Sequence, residues 1–108
     1  MIGFLCPTQA EYSALSERLG ALQPGTPGPF PATSGSLEGQ AAVVCRCGIG
    51  GASAAAAAQW MLDTGEIAFL LVCGAAGSLV PELKIGDIVI GQEFLPADCG
   101  IWSAEGFC

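Results

Sequence analysis

Short apolar runs alternate with polar, glycine-rich or proline-rich stretches along the chain. Residues 2–6 form a continuous apolar run, which is typical of a strand that is covered on both faces of a sheet. The motif Thr8-Gln9-Ala10-Glu11 fits a capping box and predicts that a helix begins there. Apolar residues at helical spacing predict the inner face of that helix: Tyr12, Leu15, Leu19 and Leu22.

The middle of the chain predicts a loop, a hairpin and a second helix. Residues 24–31 contain four prolines and two glycines, so we expect a loop there. A weaker strand over residues 32–37 and a stronger one over 41–47 flank a short turn, which is typical of an antiparallel hairpin. An alanine-rich helix is expected over residues 52–63, with Gly65 as its stop.

The last third begins with the most apolar predicted strand, residues 67–73, which a glycine- and alanine-rich turn follows. A further strand is expected over residues 87–95, and the tail over 96–108 has no clear period. The order strand, helix, hairpin, helix, strand, strand indicates an α/β fold with a largely parallel central sheet.

Composition and charge exclude several functions. Three basic residues face ten acidic ones, so the chain has no basic stripe that could bind a polynucleotide backbone. No apolar run reaches the roughly eighteen residues of a membrane span, and the start lacks the basic region of a signal peptide. We therefore expect no nucleic-acid partner, no membrane segment and a location in the cytoplasm.

The share of charged residues also bears on the extent of the domain. Charged residues are 12% of the chain, about half the usual share, whereas hydrophobic residues are 52%. So few charges leave large uncharged patches on a surface of this size. This favours one piece of a larger domain, or one face of an obligate oligomer, over a free-standing monomer.

The cysteines predict buried thiols rather than a metal site or disulfides. No histidine is present, and no second cysteine pair stands at the spacing of zinc ligands. A free cysteine in an apolar strand behaves as a small hydrophobic residue. Four of the six cysteines lie in such runs: Cys6, Cys45, Cys47 and Cys73.

Candidate functional residues lie just after the carboxyl ends of three predicted strands, which is where open α/β sheets bind their ligands. Glu11 follows the first strand, and spacing alone leaves a helix cap and a catalytic carboxylate equally open. Partial burial would raise the pKa of Glu11 and suit it to proton transfer. Residues 48–51 and 74–78 follow the other two strands as glycine-rich turns.

The two turns and one cation each have two open interpretations. Residues 48–51 resemble a phosphate-cradling turn but do not complete a dinucleotide fingerprint, since Ser53 stands where its third Gly or Ala belongs. They also fit a tight strand-to-helix turn that needs glycine dihedral angles. Residues 74–77 offer close approach of the backbone to a flat ligand, or simply a close-packed turn. Arg46, near a strand end, fits anion binding or a solvent-facing position at a sheet edge.

Taken together, these stretches resemble the purine nucleoside phosphorylase/nucleosidase family, and among its branches most closely the methylthioadenosine/S-adenosylhomocysteine nucleosidases. The motifs that carry the resemblance are residues 2–11, 47–50, 73–79 and, above all, the Leu-Lys-Ile-Gly-Asp-Ile-Val stretch at 83–89. The spacing between these motifs matches the family over almost all of residues 1–95.

The resemblance implies a three-layer α/β/α sandwich and hydrolysis of the N-glycosidic bond of a purine nucleoside, as in methionine salvage. It implies that Glu11 activates the attacking water, that Ile49 and Gly50 line the ribose and alkylthio side, and that a loop of small residues approaches the ligand. That loop consists of Ala75, Ala76 and Gly77. A small-molecule nucleoside, a homodimer and no metal or other cofactor are also implied.

The resemblance further implies that residues 1–108 are the N-terminal half of one domain. The other half supplies the general acid, the ribose clamp and the base-stacking aromatic residue, so we expect this chain alone to be inactive. Ala75 departs from the family, which usually carries serine there, and Pro7-Thr8 replaces a small-residue approach to the helix.

Other functions stay open. Segments 97–100 and 105–107 resemble futalosine hydrolases, a sister branch of the family. Phosphorolysis fits less well, because phosphorylases hold phosphate with several arginines and only Arg46 lies near a candidate site. A third alternative is a noncatalytic α/β ligand-binding or scaffold fragment, in which Glu11 is a helix cap alone.

Overall fold

A computed structural model of the protein describes residues 1–23, 27–64, 66–95 and 102–107. The chain divides into two compact units, Met1–Ala76 and Gly77–Cys108. The first unit holds seven elements, which are β1 (Ile2–Cys6), α1 (Gln9–Ser16), β2 (Gly20–Gln23), β3 (Ala32–Leu37), β4 (Gln40–Arg46), α2 (Gly51–Thr64) and β5 (Phe69–Val72). The second unit holds a small antiparallel pair, β6 (Trp102–Ser103) and β7 (Gly106–Phe107).

The sheet of the first unit has the strand order β2-β3-β4-β1-β5. Strand β1 pairs in parallel with both β4 and β5, so that Phe4 lies opposite Val44 on one side and Leu71 on the other. The β2–β3 and β3–β4 pairs are antiparallel. The predicted hairpin and the mixed α/β sheet are confirmed, with parallel pairing confined to β4, β1 and β5.

Each face of the sheet packs against one helix, because successive side chains of a strand point to opposite faces. Phe4, Cys6 and Val44 face α1 and pack with its Tyr12 and Leu15. On the opposite face a second cluster packs against α2, and its buried members are Leu5, Cys45, Cys47, Ala57 and Met61. The helices therefore lie on opposite faces of the sheet, which is the predicted three-layer arrangement.

Helix α1 is shorter than the sequence predicts. It ends at Ser16, and Leu19 turns into the core beyond it through a bond from its N–H to the Ser16 carbonyl. Leu22 lies on β2, where its side chain is 63% exposed. The predicted helical stripe is thus wrong beyond Leu15, because the antiparallel pairing of β2 with β3 takes the backbone of residues 20–23.

The strand predicted over residues 87–95 is also wrong. No ladder forms there among the described residues, and Ile88, Ile90 and Phe94 are each more than 85% exposed. The Asp87 carboxylate instead accepts the Lys84 N–H at 2.8 Å and closes a turn. An apolar run forms a strand only where a neighbouring strand receives its backbone hydrogen bonds.

Other predicted elements are confirmed with small shifts of their ends. Strand β5 is shorter than the predicted run over 67–73, and the β6–β7 pair was not predicted from the tail. The predicted helix stop at Gly65, residues 24–26 of the predicted loop and residues 96–101 of the tail lie outside the described residues. None of the helices in the described part of the chain is long and apolar enough to cross a membrane.

The prediction of buried thiols is confirmed for three cysteines. Cys6, Cys45 and Cys47 are buried and free, and Cys73 is partly buried and free. Burial raises the pKa of Cys6 and of Cys45 to about 11, so both thiols stay protonated at neutral pH. Residues 99 and 108, the remaining cysteines, lie outside the described part of the chain.

The pairing of β2 with β3 was not predicted from the sequence, and a substitution at Gly35 tests it. A Cβ atom added at Gly35 would lie 2.5 Å from the Gly20 carbonyl oxygen, whereas one added at Gly20 would meet its nearest atom at 3.6 Å. We expect Gly35→Ala to lower the free energy of unfolding by about 1–3 kcal/mol. The matched Gly20→Ala variant should lower it by no more than about 0.5 kcal/mol. Equal effects in denaturant titrations would contradict the close approach of these strands.

Candidate active site

The carboxyl ends of β1, β4 and β5 lie on one edge of the sheet, because these three strands are parallel. The Cys47 N–H donates to the Cys6 carbonyl at 3.0 Å, and the Cys73 N–H donates to the Leu5 carbonyl at 2.9 Å. These bonds continue the ladder to the point where each strand ends. The three predicted features therefore follow the sheet at a common edge.

Glu11 belongs to a complete capping box at the start of α1. The Thr8 hydroxyl accepts the Glu11 N–H at 3.5 Å, and Glu11 Oε2 accepts the Thr8 N–H at 3.1 Å. These bonds satisfy two amides that a helix start would otherwise leave without partners. One oxygen of the carboxylate is thus engaged in the cap, as the motif predicts.

The other carboxylate oxygen reaches across to the turn after β5. Glu11 Oε1 accepts the Ala75 N–H at 3.0 Å. A Cβ atom added at Gly74 would lie 3.3 Å from the same oxygen, so the glycine leaves room for this contact. The structure therefore brings Glu11 and the turn after β5 into direct contact, 64 residues apart in the chain.

The charge state of Glu11 differs from the sequence-based expectation. The hydrogen bond from the Ala75 N–H lowers the pKa of Glu11; burial opposes this effect, and the bonds from Thr8 add to it. Hydrogen bonds to the ionised form stabilise that form. Burial acts in the expected direction, but the hydrogen bonds outweigh it, so the expected net rise of this pKa is wrong and Glu11 is a carboxylate at neutral pH.

Glu11 opens on a cleft of about 560 Å³ in the first unit. Most of its wall is apolar and is formed by the thiols of Cys6 and Cys73 and the side chains of Leu15 and Leu37. The remaining residues that line it are Ala14, Arg18, Gly74 and Ala75. The arrangement offers one ionised proton acceptor in a mostly apolar recess.

Arg18 was not predicted to belong to this cleft. Arg18 follows Glu11 by seven residues, which is about two helical turns. This spacing was the signal that could have placed both side chains on the same side of the predicted helix. Helix α1 ends before Arg18, and the Arg18 N–H donates to the Leu15 carbonyl in the turn that follows. The cleft therefore holds one carboxylate and one guanidinium group among its described lining residues.

The turn after β4 lies at the same edge but does not line the cleft. Gly48 and Gly50 adopt φ angles of 85° and 106°, which side chains rarely tolerate. The Ala54 N–H donates to the Gly50 carbonyl as α2 begins, and Ile49 is 81% exposed. Ile49 and Gly50 are thus not among the residues that line the cleft beside Glu11 and Ala75.

The remaining predicted site residues lie where the two units divide. Ala76 is the last residue of the first unit, and Gly77 is the first of the second; both are exposed.

Arg46 donates to the Gln9 side-chain oxygen in the first turn of α1, which neither interpretation from the sequence anticipated. Among the described residues, no group of three or more His, Cys, Asp or Glu side chains is placed to hold a metal ion.

Comparisons with known proteins bear on the whole first unit and extend beyond it. A family model described as the phosphorylase superfamily matches residues 1–102. The 5′-methylthioadenosine/S-adenosylhomocysteine nucleosidase of Baumannia cicadellinicola is 32% identical over 93 residues, which are 86% of this chain and 41% of that protein.

Solved structures show the same similarity. The nucleosidase of the same name from Neisseria meningitidis, in complex with methylthio-immucillin-A, has a TM-score of 0.71 and 29% identity, and covers 80% of this chain and 37% of that one. A futalosine hydrolase mutant from Helicobacter pylori has a TM-score of 0.66 and 26% identity, and covers 80% of this chain and 40% of that one. The chain thus spans about two fifths of the length of these relatives.

The hydrogen bond between Glu11 and Ala75 predicts that the Ala75 amide responds when Glu11 is protonated in acid. Because its pKa is lowered in the folded state, Glu11 stabilises the fold above its unfolded pKa, and this contribution is lost as the pH falls through the lowered value. We expect the Ala75 amide resonance to move in NMR spectra over that acid range. In Glu11→Gln this movement should disappear. An Ala75 amide that titrates identically in both proteins would contradict the contact.

Proposed function

Because the chain belongs to the phosphorylase superfamily, we propose that it forms the N-terminal half of the catalytic domain of a purine nucleosidase. The proposed reaction is hydrolysis of the N-glycosidic bond of methylthioadenosine or S-adenosylhomocysteine, with release of the base. The family membership itself confirms the resemblance that the motifs predicted. The observation that carries the activity is the ionised Glu11 carboxylate held against the Ala75 amide at the sheet edge.

In this mechanism Glu11 acts as the general base on water. The water oxygen bonds to the anomeric carbon of the ribose, the bond from that carbon to the base nitrogen breaks, and a water proton passes to Glu11. The departing base takes a proton from an acid in the other half of the domain. A positioned general base contributes about 10²- to 10⁴-fold to such a step.

The two amide contacts leave Glu11 with capacity for this role. Each carboxylate oxygen has two lone pairs, and each accepts one backbone N–H in the structure. A water molecule can therefore donate to Glu11 without displacing either amide. The negative charge also favours the positive charge that develops on the sugar ring in the transition state.

The proposed enzyme brings the other predicted contacts to the ligand, all but Ala75 from outside the cleft that Glu11 lines. Ile49 and Gly50 face the ribose and its alkylthio substituent, and Ala75, Ala76 and Gly77 approach the ligand through their backbone. The exposure of Ile49 supports this assignment, since its side chain is 81% exposed at the edge where the parallel strands end. No residue of this set supplies a charge, so these contacts select shape rather than perform chemistry.

The edge strand β5 supports the assignment to half of a domain. Among the described residues β5 pairs only with β1, and Phe69 and Val72 are 68% and 74% exposed. Buried central strands are normally covered on both faces. In the proposed enzyme, the other half of the domain packs along β5 and supplies the acid and the base pocket. The enzyme is a cytoplasmic homodimer, as the resemblance implies.

Futalosine hydrolysis is the second candidate. The similarity to a futalosine hydrolase structure supports it, with a TM-score of 0.66 against 0.71 for the nucleosidase. Both reactions use water and cleave an N-glycosidic bond, so Glu11 has the same role in each. Hydrolysis rates of methylthioadenosine and futalosine, measured side by side on the assembled enzyme, distinguish them.

Replacement of Glu11 tests the catalytic role against a role in capping alone. In the enzyme that contains both halves, Glu11→Gln should lower kcat by 10²-fold or more, which is about what a general base contributes. Glu17, the exposed C-cap of the same helix, provides the matched control Glu17→Gln, which should leave kcat unchanged. Hydrolysis by Glu11→Gln within about tenfold of the parent enzyme would contradict the proposal and leave Glu11 as a cap.

The division of the site between two halves has its own test. We expect the 108-residue chain by itself to release no adenine from methylthioadenosine, because it lacks the acid that protonates the base. The measurement is adenine release at high protein concentration, with the assembled enzyme as the positive control. Adenine release that Glu11→Gln abolishes would show that the chain carries a complete site.

A further inference from the structure

Helix α1 carries the proposed base and is short. It contains eight residues, and none of them is fully buried. A helix of two turns is not stable in isolation. The position of Glu11 therefore depends on the contacts that join α1 to the sheet.

Besides the apolar packing of Tyr12 and Leu15, two side-chain hydrogen bonds join α1 to the sheet from either side of Glu11. Arg46 Nη1, at the end of β4, donates to Gln9 Oε1. The Tyr12 hydroxyl bonds to the Thr33 hydroxyl on β3. Glu11 lies between Gln9 and Tyr12, so both bonds attach the turn of helix that presents the carboxylate.

The Arg46 bond acts on the first turn itself. Arg46 lies opposite Cys6 in the β1–β4 register, so its side chain leaves the sheet on the face that α1 covers. Gln9 Nε2 donates to the Ser13 hydroxyl at 2.9 Å, which orients the amide so that its oxygen meets Arg46. Gln9 is thereby held at both ends of its amide group.

The hydrogen-bond partners of Arg46 and Glu11 indicate that Arg46 positions the helix rather than pairing with the carboxylate. A cation near the start of a helix is disfavoured by the helix dipole. In the part of the chain that the structure describes, the Arg46 side chain donates to a neutral amide, while Glu11 is held by two backbone N–H groups. Arg46 thus contacts the first turn of α1 through Gln9, and the groups that set the pKa of Glu11 are Ala75 and Thr8 together with burial.

We propose that Arg46 is a positioning residue that acts through Gln9 to hold the first turn of α1 where Glu11 meets the Ala75 amide. The geometric part stands on these contacts alone. Its consequence for hydrolysis rests on the proposed function.

The first test follows the contact between Glu11 and the Ala75 amide by NMR and needs no measurement of enzyme activity. Arg46→Met and Gln9→Ala each remove the bond, and each should shift the Ala75 amide resonance toward its position in Glu11→Gln. The double variant should add no further shift, since both changes break the same bond. Lys84→Met, which also removes one positive charge, is the control and should leave the resonance in place.

Arg46→Lys provides the conservative rescue. A lysine ammonium donates to an amide oxygen, so this variant should restore part of the Ala75 shift that Arg46→Met loses. If Arg46→Met fails to fold, Gln9→Ala tests the same bond from an exposed position. An Ala75 resonance that is unmoved in Gln9→Ala, but moved in Glu11→Gln, would overturn the proposal.

The second test measures the consequence in the assembled enzyme. Arg46→Met should lower kcat by about tenfold or more with little change in KM, because a misplaced base affects the chemical step. Loss of the Ala75 N–H should also raise the pKa of Glu11, so the acid limb of the pH–rate profile should move to higher pH. Arg46→Lys should reverse part of both changes.

The other titratable groups around Glu11 do not mimic this shift. Burial raises the pKa of Cys6 and of Cys73, so both thiols stay protonated in acid. Arg18 is the remaining charged residue that lines the cleft. Failure of the proposed function and failure of this inference are also distinguishable. Hydrolysis that survives Glu11→Gln refutes the base alone, whereas an unmoved Ala75 amide and acid limb in Arg46→Met refute the positioning role alone.

Discussion

The contact between the Glu11 carboxylate and the Ala75 amide is the interaction on which the site depends. The same side chain closes the cap of α1 through Thr8 and binds the turn after β5, so one charged group joins two elements that lie 64 residues apart in the chain. Both contacts are hydrogen bonds to the ionised form, and together they lower the pKa of Glu11. The cap contact therefore does not exclude the proposed catalytic role, because it occupies one of the two carboxylate oxygens. The cap fixes the oxygen that faces Thr8, and the other oxygen stays at the sheet edge.

The sheet determines where this contact can form. Parallel pairing of β1 with β4 and β5 places three strand ends at one edge, while the antiparallel strands β2 and β3 extend the sheet away from it. Helix α1 then depends for its position on hydrogen bonds to the sheet and on the packing of Tyr12 and Leu15, since none of its residues is fully buried. On the other side β5 keeps an unpaired edge within the described residues, with apolar side chains on both of its faces. The exposed edge of the sheet and the turn that bonds to Glu11 thus belong to the same strand and its C-terminal end.

Local signals predicted most of the fold, and long-range contacts account for the errors. The capping box identified the start of α1 because its bonds join residues three apart. The end of α1 depends on the pairing of residues 20–23 with β3, which no spacing within the helix reveals. Residues 87–95 have the composition of a strand, but a strand also needs a partner that local sequence does not supply. At the site, the strand ends correctly suggested that Glu11 and the turn after β5 lie at one edge, whereas the direction of the pKa shift required the Ala75 amide, which only the structure reveals.

The central claim is that Glu11 faces the sugar of a purine nucleoside. A crystal structure of the assembled enzyme with an uncleavable methylthioadenosine analogue tests this claim most directly. We expect a Glu11 oxygen within about 3 Å of a water molecule or ribose hydroxyl beside the anomeric position, with the Ala75 bond intact. A ligand whose sugar lies away from the edge where β1 and β5 end, with Glu11 bound only to Thr8 and Ala75, would contradict the account.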